Sequence, residues 1–119
     1  MSMTLNKLRD VIEERRGTSH KVSYVAKLFK QGRGKICQKI GEESAEVIVA
    51  ALSQEKNDVV EESADLLFHL SMLWADTDVT PDEVMKVLVK RMSISGLDEK
   101  AARTSKKKDK KKSEDKKKA

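Results

Sequence analysis

The chain has 119 residues, 38% of them apolar, 38% charged and only four aromatic, which bounds it to one small, mostly helical domain with an aliphatic core. Its net charge of +5 would suit a nucleic-acid binder, yet residues 105–119, SKKKDKKKSEDKKKA, hold nine Lys against three acids and so supply +6 of it, leaving residues 1–104 at −1. The domain itself is therefore not basic.

The expected elements begin with a helix over about residues 5–16, capped by Thr4 and ended by Gly17, in which Leu5, Leu8 and Ile12 form one stripe. After the loop GTSHKVS, a short helix near Ser23–Gln31 carries Val25, Leu28 and Phe29 and stops at QGRGK. Two long helices follow, at about 34–53 and 57–76, the second capped by Asn57 or Asp58. A fifth starts at Thr80-Pro81-Asp82-Glu83, with the threonine as cap and the proline in the first turn, and runs to about Met92. SISGLDEKAAR then reads as a turn and a short last helix. No segment alternates as a strand does. The fold expected is all-α, a compact bundle of about five helices with two long central ones, spanning residues 1–104. Residues 105–119 read as a disordered, solvated tail, with a weak, salt-sensitive hold on phosphates or nucleic acid as the alternative.

Single Cys37 excludes an internal disulfide and a multi-cysteine zinc site, and is expected to be a buried, inert thiol. The N-terminus meets charge too early for a signal peptide, and the longest strictly apolar run, Val47–Leu52, is too short to span a bilayer, so a soluble cytoplasmic protein is expected.

The two long helices carry carboxylates at i,i+3 spacing, Glu43 and Glu46 on the first, Glu62 and Asp65 on the second, so each pair projects from one side of its helix. At about 100° per residue, with Ile36 at zero, Ile40, Val47 and Ala50 lie within about 40° and Glu43 at about −20°, inside the apolar stripe. An ionised carboxylate there must be paired, metal-bound or protonated. Lys35, Lys39, Glu42 and Glu46 share the flank of that stripe. On the second helix, with Val59 at zero, Leu66, Leu70 and Leu73 are expected to form the buried stripe, with Glu62, His69 and Asp65 on its flank at about −60°, −80° and −120°. If the helices pack antiparallel, the two flanks converge on an acidic cleft.

Such a cleft is tolerable only around cations, and an all-carboxylate set suits Mg²⁺ or Mn²⁺. A di-iron site would want Glu-x-x-His from two helices, a pattern absent here. Glu61 and Asp58 read as solvated helix charges, His69 as a hydrogen-bonded structural residue, and Trp74, Met72 and Met85 as core or interface packing. QGRGK is not a Walker-type loop.

Glu42-Glu43-x-x-Glu46, fifteen residues, then Glu62-x-x-Asp65 resembles the metal motif of the all-α nucleotide pyrophosphatases, the MazG-like superfamily. Within it the chain is similar to the phosphoribosyl-ATP pyrophosphatases of histidine biosynthesis, through SYVAKLF, GKICQKIGEESAEVIVAAL, EESADLLFHLSML and SISGLDEKAAR, nearly all of residues 4–104. The resemblance implies hydrolysis of phosphoribosyl-ATP between its α and β phosphorus atoms, with Mg²⁺ held by Glu43, Glu46, Glu62 and Asp65 and with Glu42 as a helper. Glu42 or Glu46 is then a candidate general base. Lys35 and Lys39, and after them Arg91, are the candidates for binding the phosphates, ahead of Arg33 and Arg103; pairing such as Lys39 with Glu43 would be the structural explanation of the lysines. The resemblance also implies a homodimer or higher homo-oligomer and a version free of the fused cyclohydrolase found in many organisms. A house-cleaning pyrophosphatase acting on (d)NTPs with the same four acids is the alternative enzyme, and a helical module whose tail grips nucleic acid the alternative class.

Overall fold

A computed structural model describes residues 2–93 and 103–104. Among them are five helices and no strand: α1 (Leu5–Arg16), α2 (Tyr24–Gln31), α3 (Arg33–Ser53), α4 (Lys56–Asp76) and α5 (Pro81–Met92). The chain falls into two compact units, Met1–Asp82 and Glu83–Ala119.

In the first unit the start signals work as the side-chain chemistry demands. Thr4 accepts from the Lys7 amide at 3.1 Å and Ser23 from the Ala26 amide at 3.2 Å, each satisfying an amide that the first turn leaves without a partner. Only Gly32 of the two glycines in QGRGK breaks the chain. Its φ of 96° suits glycine, whereas Gly34 lies in the first turn of α3. Neither Asn57 nor Asp58 caps α4. The helix starts earlier, at Lys56, with Glu55 in the capping position making no side-chain capping bond, because Gln54 at φ 64° already reverses the chain.

That two-residue link folds α3 and α4, each 21 residues long, into an antiparallel hairpin, the most extensive helix pair of the unit. α1 and α2 close over one end of it. The core there joins Ile12, Val25, Leu28, Ile36, Met72 and Ala75, with Leu8, Phe29, Ile40, Phe68 and Leu73 packed against it. Arg16 pins the junction, donating to the Ala75 carbonyl at 3.3 Å and lying 4.2 Å over the Phe29 ring. Arg9 caps the other side through the Val79 carbonyl.

The α3 stripe is where the periodicity puts it, with Ile36 and Ala50 buried and Ile40, Glu43 and Val47 half-buried. The α4 stripe is not. Its fully buried side chains are His69, Ser71, Met72 and Ala75, while Leu66, Leu70 and Leu73 are only half-buried. α4 is apolar on more than one side, so periodicity alone picked the wrong centre. Glu62 is half-buried and Asp65 exposed. Cys37 is exposed, not buried, since one residue past Ile36 it is turned about 100° from the stripe. Met72 is in the core, one of the two places expected for it, and Met85 is exposed on this chain, which leaves the interface.

In the second unit α5 bears Lys90 and Arg91 in its last turn. The short last helix expected over SISGLDEKAAR and the lysine-rich tail lie outside the described residues, apart from Arg103 and Thr104, which are helical. Among the described residues no helix is long and apolar enough to cross a membrane.

Candidate active site

Antiparallel pairing sets the middle of α3 against the first half of α4, and there the carboxylates meet. Glu43, Glu62 and Asp65 each offer one oxygen, and the three oxygens lie within 4.8 Å of one another. Glu43 Oε2 and Glu62 Oε2 are shielded from solvent with no hydrogen-bond partner. Buried carboxylate oxygens without donors are costly, and here the nearest groups are other acceptors.

Glu46, one turn along α3 from Glu43, is exposed, and its carboxylate bears on both half-buried glutamates. Contact with Glu46, then burial, then the charges of Glu46, Asp65 and Glu43 push the Glu62 pKa up to about 7. Burial foremost, with Glu46 and Asp65 behind it, also raises Glu43. Two carboxylates hydrogen-bond only if one is protonated, so the cluster either holds a proton or releases it to a cation. The donor set fits a divalent metal: all its oxygens are hard, and two oxygens of its members are shielded from solvent with no protein group to satisfy them.

His69 stands beside this cluster without joining it. Its Nδ1 lies 2.8 Å from the Asp65 carbonyl oxygen, which can only accept, so Nδ1 carries the proton. In the neutral ring Nε2 then accepts from the Tyr24 hydroxyl at 3.1 Å. Both nitrogens are engaged, and the ring is wedged edge-on against Phe68 and Tyr24. This is the structural histidine expected from its i+4 spacing to Asp65. Tyr24 is what sequence reasoning missed. It sits in the matched segment SYVAKLF, and an aromatic hydroxyl in the first turn of a short helix was the available signal.

Glu42 is not brought into the cluster. It points to the exposed side, where Gln38 donates to it at 2.8 Å and Lys39 pairs with it at 3.4 Å, and these two contacts hold its pKa down. Lys39 thus pairs at i,i+3 with Glu42, not at i,i+4 with Glu43. Lys35 is half-buried on the same flank and close enough to add to the stabilisation of the Glu42 charge. Arg33 is tied to Asp76 at 2.7 Å. Arg91 belongs to α5, in the second unit. Glu61 and Asp58 are exposed, as solvated helix charges are.

Two hollows lie along this unit, and the carboxylates of Glu46 and Glu62 help to line one of them. A groove of about 350 Å³ runs between the helices of the hairpin, lined by Glu46, Val49, Ala50, Ser53, Asp58 and Glu62. The other, of about 420 Å³, opens on the far side of Tyr24.

The fold is all-α, and the family that the sequence matches is one of MazG-like pyrophosphatases. Residues 5–92 match the family model described as "Phosphoribosyl-ATP pyrophosphohydrolase", and the chain belongs to that family. It is 52% identical over 105 residues to a phosphoribosyl-ATP pyrophosphatase of Paramagnetospirillum magneticum, covering 88% of this chain and 96% of the relative. To a protein of the same name from Rhodospirillum rubrum it is 56% identical over 99 residues, 83% of this chain and 85% of the relative. A third, from Azospirillum brasilense, is 44% identical over 101 residues, covering 85% and 91%.

Proposed function

We propose that this chain hydrolyses phosphoribosyl-ATP between its α and β phosphorus atoms, giving phosphoribosyl-AMP and pyrophosphate, the second step of histidine biosynthesis. Membership of the family and the names of its relatives support the substrate. The observation that carries the chemistry is the convergence of Glu43, Glu62 and Asp65 within 4.8 Å, with two buried oxygens lacking donors.

Glu43, Glu62 and Asp65, with Glu46 at the exposed edge, are the residues that hold Mg²⁺, Mn²⁺ being an alternative of similar chemistry. When bound, the cation neutralises phosphate charge and makes water a better nucleophile. Glu46 accepts the proton of the attacking water: it is exposed, at the open edge of the cluster, where a bound water is within its reach. Glu42 has the weaker claim as base, since Gln38 and Lys39 stabilise its ionised form. Its role is to fix Lys39, which with Lys35 offers positive charge to the phosphates along the rim of α3.

The test is a substrate panel. With Mg²⁺, pyrophosphate should be released from phosphoribosyl-ATP at least about a hundredfold faster, in kcat/KM, than from dCTP or dUTP, a discrimination that buried polar recognition readily supplies. A preference for the free nucleotides would instead assign the chain to the house-cleaning branch.

The reading includes a cytoplasmic homo-oligomer. It is supported by the second half of α3, where Ile48, Val49 and Leu52 are 59%, 66% and 79% exposed, and by Val60 of α4 at 56%, an apolar patch beside the carboxylates. Leu52→Glu is expected to lower the sedimentation mass to that of one chain. A wild-type protein that sediments as a monomer would remove this part of the reading.

A further inference from the structure

A substrate with two phosphate-bearing ends needs two anchors, and the carboxylates with their cation account for the triphosphate end alone. The opposite end, a second ribose phosphate on the adenine, carries its own dianion and is all that separates phosphoribosyl-ATP from ATP. Whatever recognises it must offer a cation free of other duties, hydroxyl groups and a flat surface for the base.

Those features occur together in the 420 Å³ hollow, whose lining includes Arg15, Thr18, Ser23, Tyr24 and Phe68. The Met1–Asp82 unit has four arginines. Three are engaged: Arg9 with Glu13 and the Val79 carbonyl, Arg16 with the Ala75 carbonyl and Phe29, and Arg33 with Asp76. Arg15 is exposed and pairs with no carboxylate among the described residues. The Ser23 oxygen caps α2 as an acceptor, leaving its hydroxyl hydrogen available to a ligand. Tyr24 and Phe68 stack at 6.1 Å with an interplanar angle of 25°, and Tyr24 is 48% exposed.

The hollow is connected to the carboxylate-bearing stretch of α4 through two of its lining residues. Phe68 is one turn beyond Asp65, about 4.5 Å along the axis of α4. The Tyr24 hydroxyl bonds to His69, whose other nitrogen bonds to the Asp65 backbone carbonyl, so two hydrogen bonds tie the wall of the hollow to the backbone that carries a cluster residue.

We propose that this hollow receives the phosphoribosyl group of the substrate, with Arg15 paired to its terminal phosphate and the Tyr24–Phe68 pair bearing on the adenine, which makes Arg15 the residue that separates phosphoribosyl-ATP from ATP. The proposal rests on the reading of the substrate given above. It assigns Tyr24 two tasks, bracing His69 on one side and meeting the base on the other.

Binding of the two monophosphates, phosphoribosyl-AMP and AMP, tests it without catalysis. In titration calorimetry the wild-type protein with Mg²⁺ should bind phosphoribosyl-AMP more tightly than AMP. Arg15→Gln should weaken phosphoribosyl-AMP by about 10- to 100-fold, the usual scale of a charged hydrogen-bonded contact, with far less effect on AMP. In turnover the same variant should raise KM for phosphoribosyl-ATP much more than it lowers kcat, and Arg15→Lys should recover part of the loss. Equal weakening of both monophosphates, or no weakening of either, overturns the assignment of Arg15. So does a wild-type protein that binds the two equally. Selective binding without turnover of phosphoribosyl-ATP would instead uphold the hollow and sink the proposed reaction.

Discussion

Glu43→Gln is expected to abolish pyrophosphate release, by at least about a hundredfold, while the helical circular-dichroism signal stays that of the wild type. Loss of a group that merely orients a metal ligand commonly costs 10- to 100-fold, and loss of the ligand itself should cost no less. The folded state should not suffer. Glu43 Oε2 is buried without a donor and faces the carboxylates of Glu46 and Asp65, so burial and repulsion already work against its charge. A neutral amide of the same shape relieves that repulsion and brings an N–H to the cluster. In EDTA the Tm of the variant should therefore equal or exceed that of the wild type, while the rise in Tm on adding Mg²⁺ should largely vanish. Full activity would remove Glu43 from the metal site, and a collapse of the metal-free Tm would make it a structural residue.

Without metal, the wild-type protein should lose stability as pH rises from about 5 to 8. Glu62 titrates near 7 in the folded chain, against 4.5 for an ordinary glutamate, first through its contact with Glu46 and then through burial and the other charges. Between those two values the folded protein holds a proton that the unfolded chain has already released, so each step up in pH favours unfolding, until the group is ionised in both states. Glu43 is shifted in the same direction and adds to the slope. Glu42, whose pKa is lowered, acts oppositely: its stabilisation is present above 4.5 and is lost as pH falls below that value, outside this window. Saturating Mg²⁺ should flatten or reverse the decline, because the cation takes the place of the proton and binds the ionised form. Thermal denaturation across this range, with EDTA and with Mg²⁺, measures both slopes. A metal-free Tm that is flat or climbs from pH 5 to 8 would contradict the crowding of the four carboxylates.

Both expectations depend on which side of each helix faces inward, and the two long helices differ in how plainly their sequences say so. On α3 the apolar residues Ile36, Ile40, Val47 and Ala50 keep one line, so the inward place of Glu43 is legible from spacing alone. On α4 apolar residues occur all round. Leu66, Leu70 and Leu73 compete with Phe68, Met72 and Ala75, and only the arrival of α1 and α2 over the second set decides between them. Exposure of Cys37 and the start of α4 at Lys56 were matters of the same kind, fixed by one residue of rotation and by the turn at Gln54.

The sequence by itself determined the helical class, the bounds of all five helices to within a residue, and the family, and it named the acids as candidates. Class and bounds follow from caps and periodicity, the candidate acids from the place of Glu43 within an apolar stripe, and the family from the resemblance of whole segments. Tertiary structure decided which of those acids meet. It gathered Glu43, Glu62 and Asp65, left Glu46 at the edge and turned Glu42 outward to Lys39, because convergence between two helices depends on the rotation of each about its own axis. It also joined Tyr24 to His69 across 45 residues of sequence, and opened beside them the hollow that leaves Arg15 its charge to offer.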